Sequence, residues 1–406
     1  MSMTTTSRED STDLPVIPRP RAASCPLAPP AEFVEWRNSA GLRRVMWQGR
    51  PTWVISRYQD IRSALIDPRL SADTIKARLR ASSADGVLPI IFPRIDDPEH
   101  NRLRRMMTRD FTVRRTEAMR PQIQEMVDGF LDTMIEKGPP ADLVRDFALP
   151  VPSLVISLLL GVPYGDHEFL QQHSTIGLDS RSSEDEKAAA IGALFGYMFE
   201  LAALKEREPG DDLISRLITD FVASGQLSRE TAAMNGLILL QAGHETTASM
   251  VALGTVALLQ HRDVFERLGQ TDDPAVIANL VEELMRYLTI VHSQVDRVAI
   301  EDLTIGGELI RAGEFVLMNL PAGNWDAEFT DHPEDLDIDR NTRGHLGFGY
   351  GVHQCIGQNL ARVEMQIALA TLARRLPGLA LAVPFEDLRF QNEQEIFGIE
   401  ELPITW

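Results

Sequence analysis

The chain has 406 residues, with 40 Lys plus Arg against 59 Asp plus Glu for a formal net charge of −19, and its apolar and charged fractions are 44% and 24%. That length admits one large compact domain or two closely packed ones, and the composition excludes wholesale disorder, collagen-like sequence and low complexity. The acid excess argues against nucleic acid as a partner, because phosphate binding needs a surplus of Lys and Arg.

Residues Met1 to Asp13 carry Ser, Thr, Asp and Glu with no apolar run, so they do not read as a secretory signal. Residues 1–30 are rich in Pro, Ser and Thr, which predicts an arm without regular structure, followed by a single domain over 31–406. The run Trp47 to Ile55, WQGRPTWVI, reads as a short hairpin with a Gly-Arg-Pro centre. Apolar residues at spacings of three and four then predict helices over 58–67, 100–109, 116–137, 150–160, 187–207, 211–224, 228–260, 274–288 and 357–376. Ser228 stands at a helix start, and Gly161 and Pro377 stand just past helix ends.

Strand signals are few: 295–300, 303–306, 308–310 and 315–319, then short pieces near 379–382 and at the C-terminus, with turns at Gly306-Gly307 and Ala312-Gly313. A mainly α fold, a large helical body with a small β-rich lobe, is expected. Unbroken apolar stretches such as Val155 to Leu160 are too short to cross a bilayer. The only cysteines are Cys25 and Cys355, so a disulfide scaffold is excluded and a reducing compartment is expected. These signals together read as a soluble cytoplasmic protein with no membrane span.

Cys355 has the most informative surroundings, Phe348-Gly349-Tyr350-Gly351-Val352-His353-Gln354-Cys355-Ile356-Gly357, directly ahead of the last long helical pattern. Its three glycines allow positive φ and close backbone approach, and a cysteine at a helix start meets peptide N–H groups that favour thiolate. A sulfur so placed suits an axial haem ligand. Two blander readings compete: a buried cysteine acting as a small hydrophobe, and a nucleophile with His353 as its base.

The FGxGxHxCxG pattern resembles the signature loop of the cytochrome P450 family, the haem-thiolate monooxygenases, and the likeness extends along nearly the whole chain, nearest to soluble actinobacterial members. The resemblance implies a cytochrome P450 fold with haem b (iron protoporphyrin IX) between the long central helix and the cysteine-loop helix. It also implies Cys355 as the iron ligand, with Phe348, Gly349, Gly357 and Ala242 against the cofactor. His100 and Arg104, four apart on one helix face, are implied to hold the propionates together with Arg297 and His353.

Within the 228–260 helix stands Ala242-Gly243-His244-Glu245-Thr246-Thr247. Gly and Thr weaken a helix, and the resemblance implies a widened groove where Thr246 holds dioxygen and water while Glu245 links to a proton supply. Glu283 and Arg286 share a helix face and look like the ExxR pair that braces the proximal side. The later loop His332 to Asp337 has Asp335 where the family often has a third, arginine partner.

The activity implied is hydroxylation of a hydrophobic small molecule, such as a polyketide, terpenoid or steroid-like compound of secondary metabolism or a xenobiotic, using O2. Substrate walls are expected from Leu239, Leu240 and Ala242, from the loop Val87 to Phe92, from Ile290 and Val291, and from Ile396 and Phe397. No G-x-G-x-x-G follows a strand, so electrons from NAD(P)H would arrive through a separate ferredoxin reductase and ferredoxin. Residues 102–115 hold six arginines and one acid, a net +5 suited to an acidic donor. A monomer is the family expectation. A haem-thiolate sensor or carrier without turnover and a cysteine hydrolase are the rival classes.

Overall fold

The structure, a computed structural model, describes residues 14–21, 25–82, 90–178, 182–392 and 394–406. In chain order its helices begin with α1 (Ala31–Asn38), α2 (Tyr58–Ile66), α3 (Thr74–Ser82), α4 (Glu99–Thr108) and α5 (Val113–Ala118). Next come α6 (Arg120–Lys137), α7 (Pro150–Leu160), α8 (His167–Leu178), α9 (Glu184–Arg207) and α10 (Leu213–Arg216). The remainder are α11 (Arg229–Gln260), α12 (Arg262–Gln270), α13 (Pro274–Leu288), α14 (Leu320–Asn324) and α15 (Gln358–Arg375).

The strands are β1 (Val16–Ile17), β2 (Arg43–Trp47), β3 (Arg50–Ile55), β4 (Leu70–Ser71), β5 (Ala141–Asp142) and β6 (Asp296–Ala299). They continue as β7 (Leu303–Ile305), β8 (Glu308–Ile310), β9 (Phe315–Met318), β10 (Ala380–Leu381) and β11 (Pro403–Thr405). The larger sheet has the order β1-β2-β3-β9-β6-β4. The body is helical: α11 runs through the core, packed on α7, α9 and α15 and buried along most of its length. Ser228 caps its start by accepting from the Thr231 N–H, and Gly161, at φ 80, ends α7.

Several boundaries differ from the periodic reading. The 116–137 segment is two helices, because Pro121 suits a first turn and starts α6 afresh after Met119. The 211–224 segment is one α turn followed by a π-helical stretch, Leu217–Val222, and α9 starts earlier, at a capping box in which Ser183 and Glu186 exchange hydrogen bonds. The hairpin spans 43–55 and turns at Gln48 (φ 46) and Gly49 (φ 72), one step before the expected centre. Pro51 lies within β3, ahead of Thr52 to Ile55, the stretch that pairs with β9.

The described part of the arm is more ordered than expected: β1 adds to the sheet parallel to β2, and Arg21 is buried. Cys25 and Cys355 are both free thiols. One described helix, Glu184–Arg207, is long and apolar enough to cross a membrane, contrary to the expectation that no such segment exists. Its buried residues Ala190, Leu194, Met198, Leu201 and Ala202 form one stripe, the pattern of a helix laid along a core.

Candidate active site

The cysteine loop is shaped by its glycines. Gly349 (φ 70) and Gly351 (φ 77) hold left-handed backbone, and a Cβ on Gly351 would stand 2.8 Å from Ile66 Cγ2 and 3.1 Å from the Leu65 carbonyl oxygen. Gly357 differs from the expectation of positive φ: it has φ −80 and serves as the N-cap of α15. The Cys355 N–H donates to the Phe348 carbonyl at 2.9 Å, closing the loop.

Cys355 opens on an interior chamber of about 510 Å³ although it lies deep within the molecule. The backbone N–H groups of Gly357 and Gln358 at the start of α15 favour its charged form. Burial nevertheless pushes the thiol up, more than those amides and the nearby Arg104 and Arg362 pull it down. The helix start alone therefore does not make a thiolate here; ligation of a metal ion, which deprotonates a coordinating thiol outright, would.

Four groups from distant parts of the chain gather on the chamber wall: His100 and Arg104 from α4, Arg297 from β6 and His353 from the cysteine loop. The rings of His100 and His353 stand 4.0 Å apart between centroids. His100 Nδ1 faces Asp97 at 3.2 Å, Arg104 donates to the Gln354 carbonyl at 2.6 Å, and Arg297 donates to the Asp296 carbonyl at 2.7 Å. His100 Nε2 and His353 Nδ1 are buried with no hydrogen-bond partner among the described residues.

Burial, then the charges of Arg297, His100, Arg104 and Arg94, push His353 down to about 3, and burial with the neighbouring Arg94 lowers Arg297 to about 10. This is a cluster of donors short of negative charge. Two carboxylates on a flat apolar ring would satisfy it, with the cysteine sulfur in reach of the ring's metal, so the residues present fit haem.

The chamber's other side is α11, which is continuous from Arg229 to Gln260. Ala242, Gly243, Thr246 and Thr247 line it. The expected groove takes a different form: the Thr246 hydroxyl donates to the Ala242 carbonyl at 2.7 Å, and glycine is needed at 243 because a Cβ there would stand 2.9 Å from Ile156 Cγ1 of α7. Glu245 is half-buried on the same helix and is not among the chamber-lining residues.

Leu239, Ile290 and Val291 line the chamber. Leu240, Ile396 and Phe397 do not: Leu240 and Phe397 are buried in the core, and Ile396 supports the wall by bridging to Val291. Of the loop Val87 to Phe92, residues 87–89 lie outside the described residues, while Ile91 and Phe92 line the chamber.

Sequence reasoning did not single out Arg94, Gln294 or Glu364, all on the chamber wall. Glu364 is 3% exposed, its Oε2 has no partner among the described residues, and burial pushes its carboxyl well above the usual range. A signal was present: it falls on the buried stripe of α15 with Leu360, Val363 and Ile367, where an acid is out of pattern.

Glu283 and Arg286 are both 0% exposed and bidentate at 2.8 Å. Arg286 also donates to the carbonyls of Asn324, Pro333 and Asp335, so Asp335 contributes its backbone rather than its carboxylate. The third charged partner is Arg340, five positions beyond Asp335, with Nε 3.7 Å from Glu283 Oε1.

A helical body with a cysteine sulfur and a cluster of arginine and histidine donors at one apolar chamber has the donor set of a haem-thiolate protein. The family profile described as "Cytochrome P450" matches residues 37–177 and 181–379, and the chain belongs to that family, an oxidoreductase of the monooxygenase type. It is 48% identical to cytochrome P450-SU2 of Streptomyces griseolus over all of both chains. It is 39% identical to the mycinamicin VIII C21 methyl hydroxylase of Micromonospora griseorubida over 95% of this chain and 99% of that protein. The crystal structure of GfsF superposes with a TM-score of 0.89 at 44% identity, covering 97% of this chain and 100% of that one. The family implies a haem cofactor, a small-molecule substrate and O2.

Proposed function

We propose that this P450 hydroxylates a hydrophobic secondary metabolite, a polyketide, terpenoid or steroid-like compound, in the chamber above Cys355. The observation that carries the reading is one apolar chamber with a cysteine sulfur on its wall and His100, Arg104, Arg297 and His353 gathered beside it. Relatives are named as a mycinamicin VIII C21 methyl hydroxylase, a vitamin D3 dihydroxylase and a pentalenic acid synthase, which supports a bulky apolar substrate.

Haem, in the b form, supplies dioxygen activation when bound. The protein's residues do the rest. Cys355 would ligate the metal through its sulfur, beside the backbone amides of Gly357 and Gln358. His100, Arg104, Arg297 and His353 would orient the propionates, two as guanidinium cations and two as ring N–H donors. Leu239, Ile290, Val291 and Phe92 exclude water and seat the substrate. Thr246 presents a hydroxyl to the chamber one turn after Ala242, and Glu245 beside it connects that hydroxyl to a proton supply.

Electrons come from NAD(P)H through ferredoxin reductase and ferredoxin, and the protein acts as a cytoplasmic monomer. In the basic segment Arg104 turns inward and Arg102 pairs with Glu99, while Arg105, Arg109 and Arg114 are exposed without an ion pair among the described residues. An acidic donor is steered to such a patch. Reversing Arg105 and Arg109 to glutamate should slow reduction by ferredoxin several-fold and weaken its salt dependence; an unchanged rate removes this docking assignment.

The decisive measurement is the absorption spectrum of the purified protein, reduced under carbon monoxide. A strongly red-shifted Soret band is expected, lost in Cys355→His, followed by hydroxylated product from a panel of hydrophobic metabolites with reconstituted donors. A colourless protein after haemin is offered, or an unshifted band, overturns the reading.

A further inference from the structure

The N-terminal arm carries a buried arginine outside the site described above. Arg21 is 5% exposed, and no carboxylate is paired with it among the described residues. Its guanidinium donates to the carbonyls of Leu27 (2.5 Å), Leu288 (2.7 Å) and Thr289 (3.3 Å) and to His292 Nε2 (2.7 Å). Leu288 and Thr289 end α13, where the helix dipole favours a cation. The same guanidinium lies over the Phe397 ring, 3.9 Å from its centroid. His292 stacks on Phe397 at 5.3 Å, and Phe397 on Phe390 at 5.8 Å, each pair within 5° of parallel. The Arg21 N–H donates to Asn392 Oδ1 at 3.0 Å, so backbone and side chain grip the same region.

These contacts lead to the chamber wall. The Phe397 N–H donates to the Ile290 carbonyl at 2.7 Å, the His292 N–H to the Glu395 carbonyl at 3.0 Å, and Val291 bridges to Ile396. Ile290 and Val291 line the chamber, and Arg21 does not. A methionine of similar length would fill the Arg21 space without stripping a charge of water, so packing alone does not account for arginine there.

We propose that Arg21 is a positioning residue for the substrate pocket. It ties Leu27 of the arm, the end of α13, Asn392 and Phe397 into one block, and that block sets where Ile290 and Val291 stand against a bound substrate. The assignment rests on the reading of the chamber as the substrate pocket.

The test uses the full-length haem-loaded protein, with Arg21→Met, Arg21→Lys and Phe397→Leu, titrated with imidazole and with a phenyl-substituted imidazole through the Soret shift. Imidazole is too small to need the wall, and the phenyl group presses on it. In Arg21→Met the imidazole affinity should hold within about twofold while the bulkier ligand weakens about tenfold, a loss on the scale of one charge-assisted contact. Arg21→Lys, a point charge without the planar fork, should fall between wild type and Arg21→Met. Amide hydrogen exchange should quicken over 288–297 and 390–399 and stay unchanged elsewhere.

Phe397→Leu, which removes the ring beneath the guanidinium, should reproduce the selective loss and decides the matter if Arg21→Met does not fold. Equal weakening of both ligands, or unchanged binding with unchanged exchange, overturns the proposal. If wild type itself binds both ligands equally, the pocket reading fails instead, and the exchange comparison still judges the clamp.

Discussion

The rings of His100 and His353 lie 4.0 Å apart between centroids, tilted by 34°, one from α4 and the other from the cysteine loop. Each leaves a buried nitrogen, Nε2 and Nδ1 respectively, without a partner among the described residues. Losing a buried charge-assisted donor costs about 1–3 kcal/mol. His100→Ala and His353→Ala should therefore each release haem to apomyoglobin about tenfold faster or more. An unchanged transfer rate in both variants would remove the propionate role.

Glu283 and Arg286 are sealed from solvent, whereas Arg340 is partly exposed and more distant. Removing one partner of a buried pair costs about 3–5 kcal/mol, whereas losing Arg340, 3.7 Å from Glu283, leaves that carboxylate its bidentate partner Arg286 and costs less. Urea unfolding should rank Glu283→Gln below Arg340→Ala in stability. The reverse order would make Arg340 the principal brace.

Thr246, one of two threonines of α11 on the chamber wall, donates its hydroxyl to the Ala242 carbonyl at 2.7 Å. Thr246→Ala should bind substrate as wild type does yet divert most reducing equivalents from product to hydrogen peroxide. Simultaneous measurement of NAD(P)H consumption, product and peroxide checks this, and intact coupling would remove Thr246 from proton handling.

His244, 2% exposed in mid-α11, is pushed down to about 4 by burial, against 6.5 in an unfolded chain. Its folded form resists the proton that the unfolded form accepts. The resulting stability is present above pH 6.5 and is lost as pH falls toward 4, on the order of 3 kcal/mol. Glu364 has the opposite sign: its folded carboxyl keeps a proton that the unfolded one releases, so its contribution is present at low pH and lost as pH rises above the ordinary carboxylate range. Chemical denaturation across pH 4–7 should show a shallower acid loss in His244→Phe and a steeper one in Glu364→Gln. Parallel profiles for all three proteins would contradict both assignments.

Much of the helical body was legible because its signals are local. The apolar stripes of α7, α11 and α13, the Ser228 cap and the Gly161 stop all act within a turn or two of chain. The errors lie where a local signal was outvoted or overlooked. Pro121 restarts a helix inside a continuous stripe, and Gln48 takes the left-handed angle that shifts the hairpin turn. Gly243 reads as a weak point in a helix, while in the fold it makes room for Ile156. Arg340 lies beyond the loop His332 to Asp337, and nothing in one dimension says how far a loop must run before it turns back toward Glu283.

The sequence by itself determined the succession of helices and set a cysteine among glycines at the start of one, since helix periodicity, capping and backbone freedom are properties of neighbouring residues. Only the tertiary structure decided that residues 100, 104, 297 and 353 share a wall, that Leu240 and Phe397 face away from the chamber, and that Arg21 reaches the end of α13. Those relations join residues far apart in the chain. They follow from which buried faces pack together and which polar groups must then find one another, and no short-range pattern encodes that outcome.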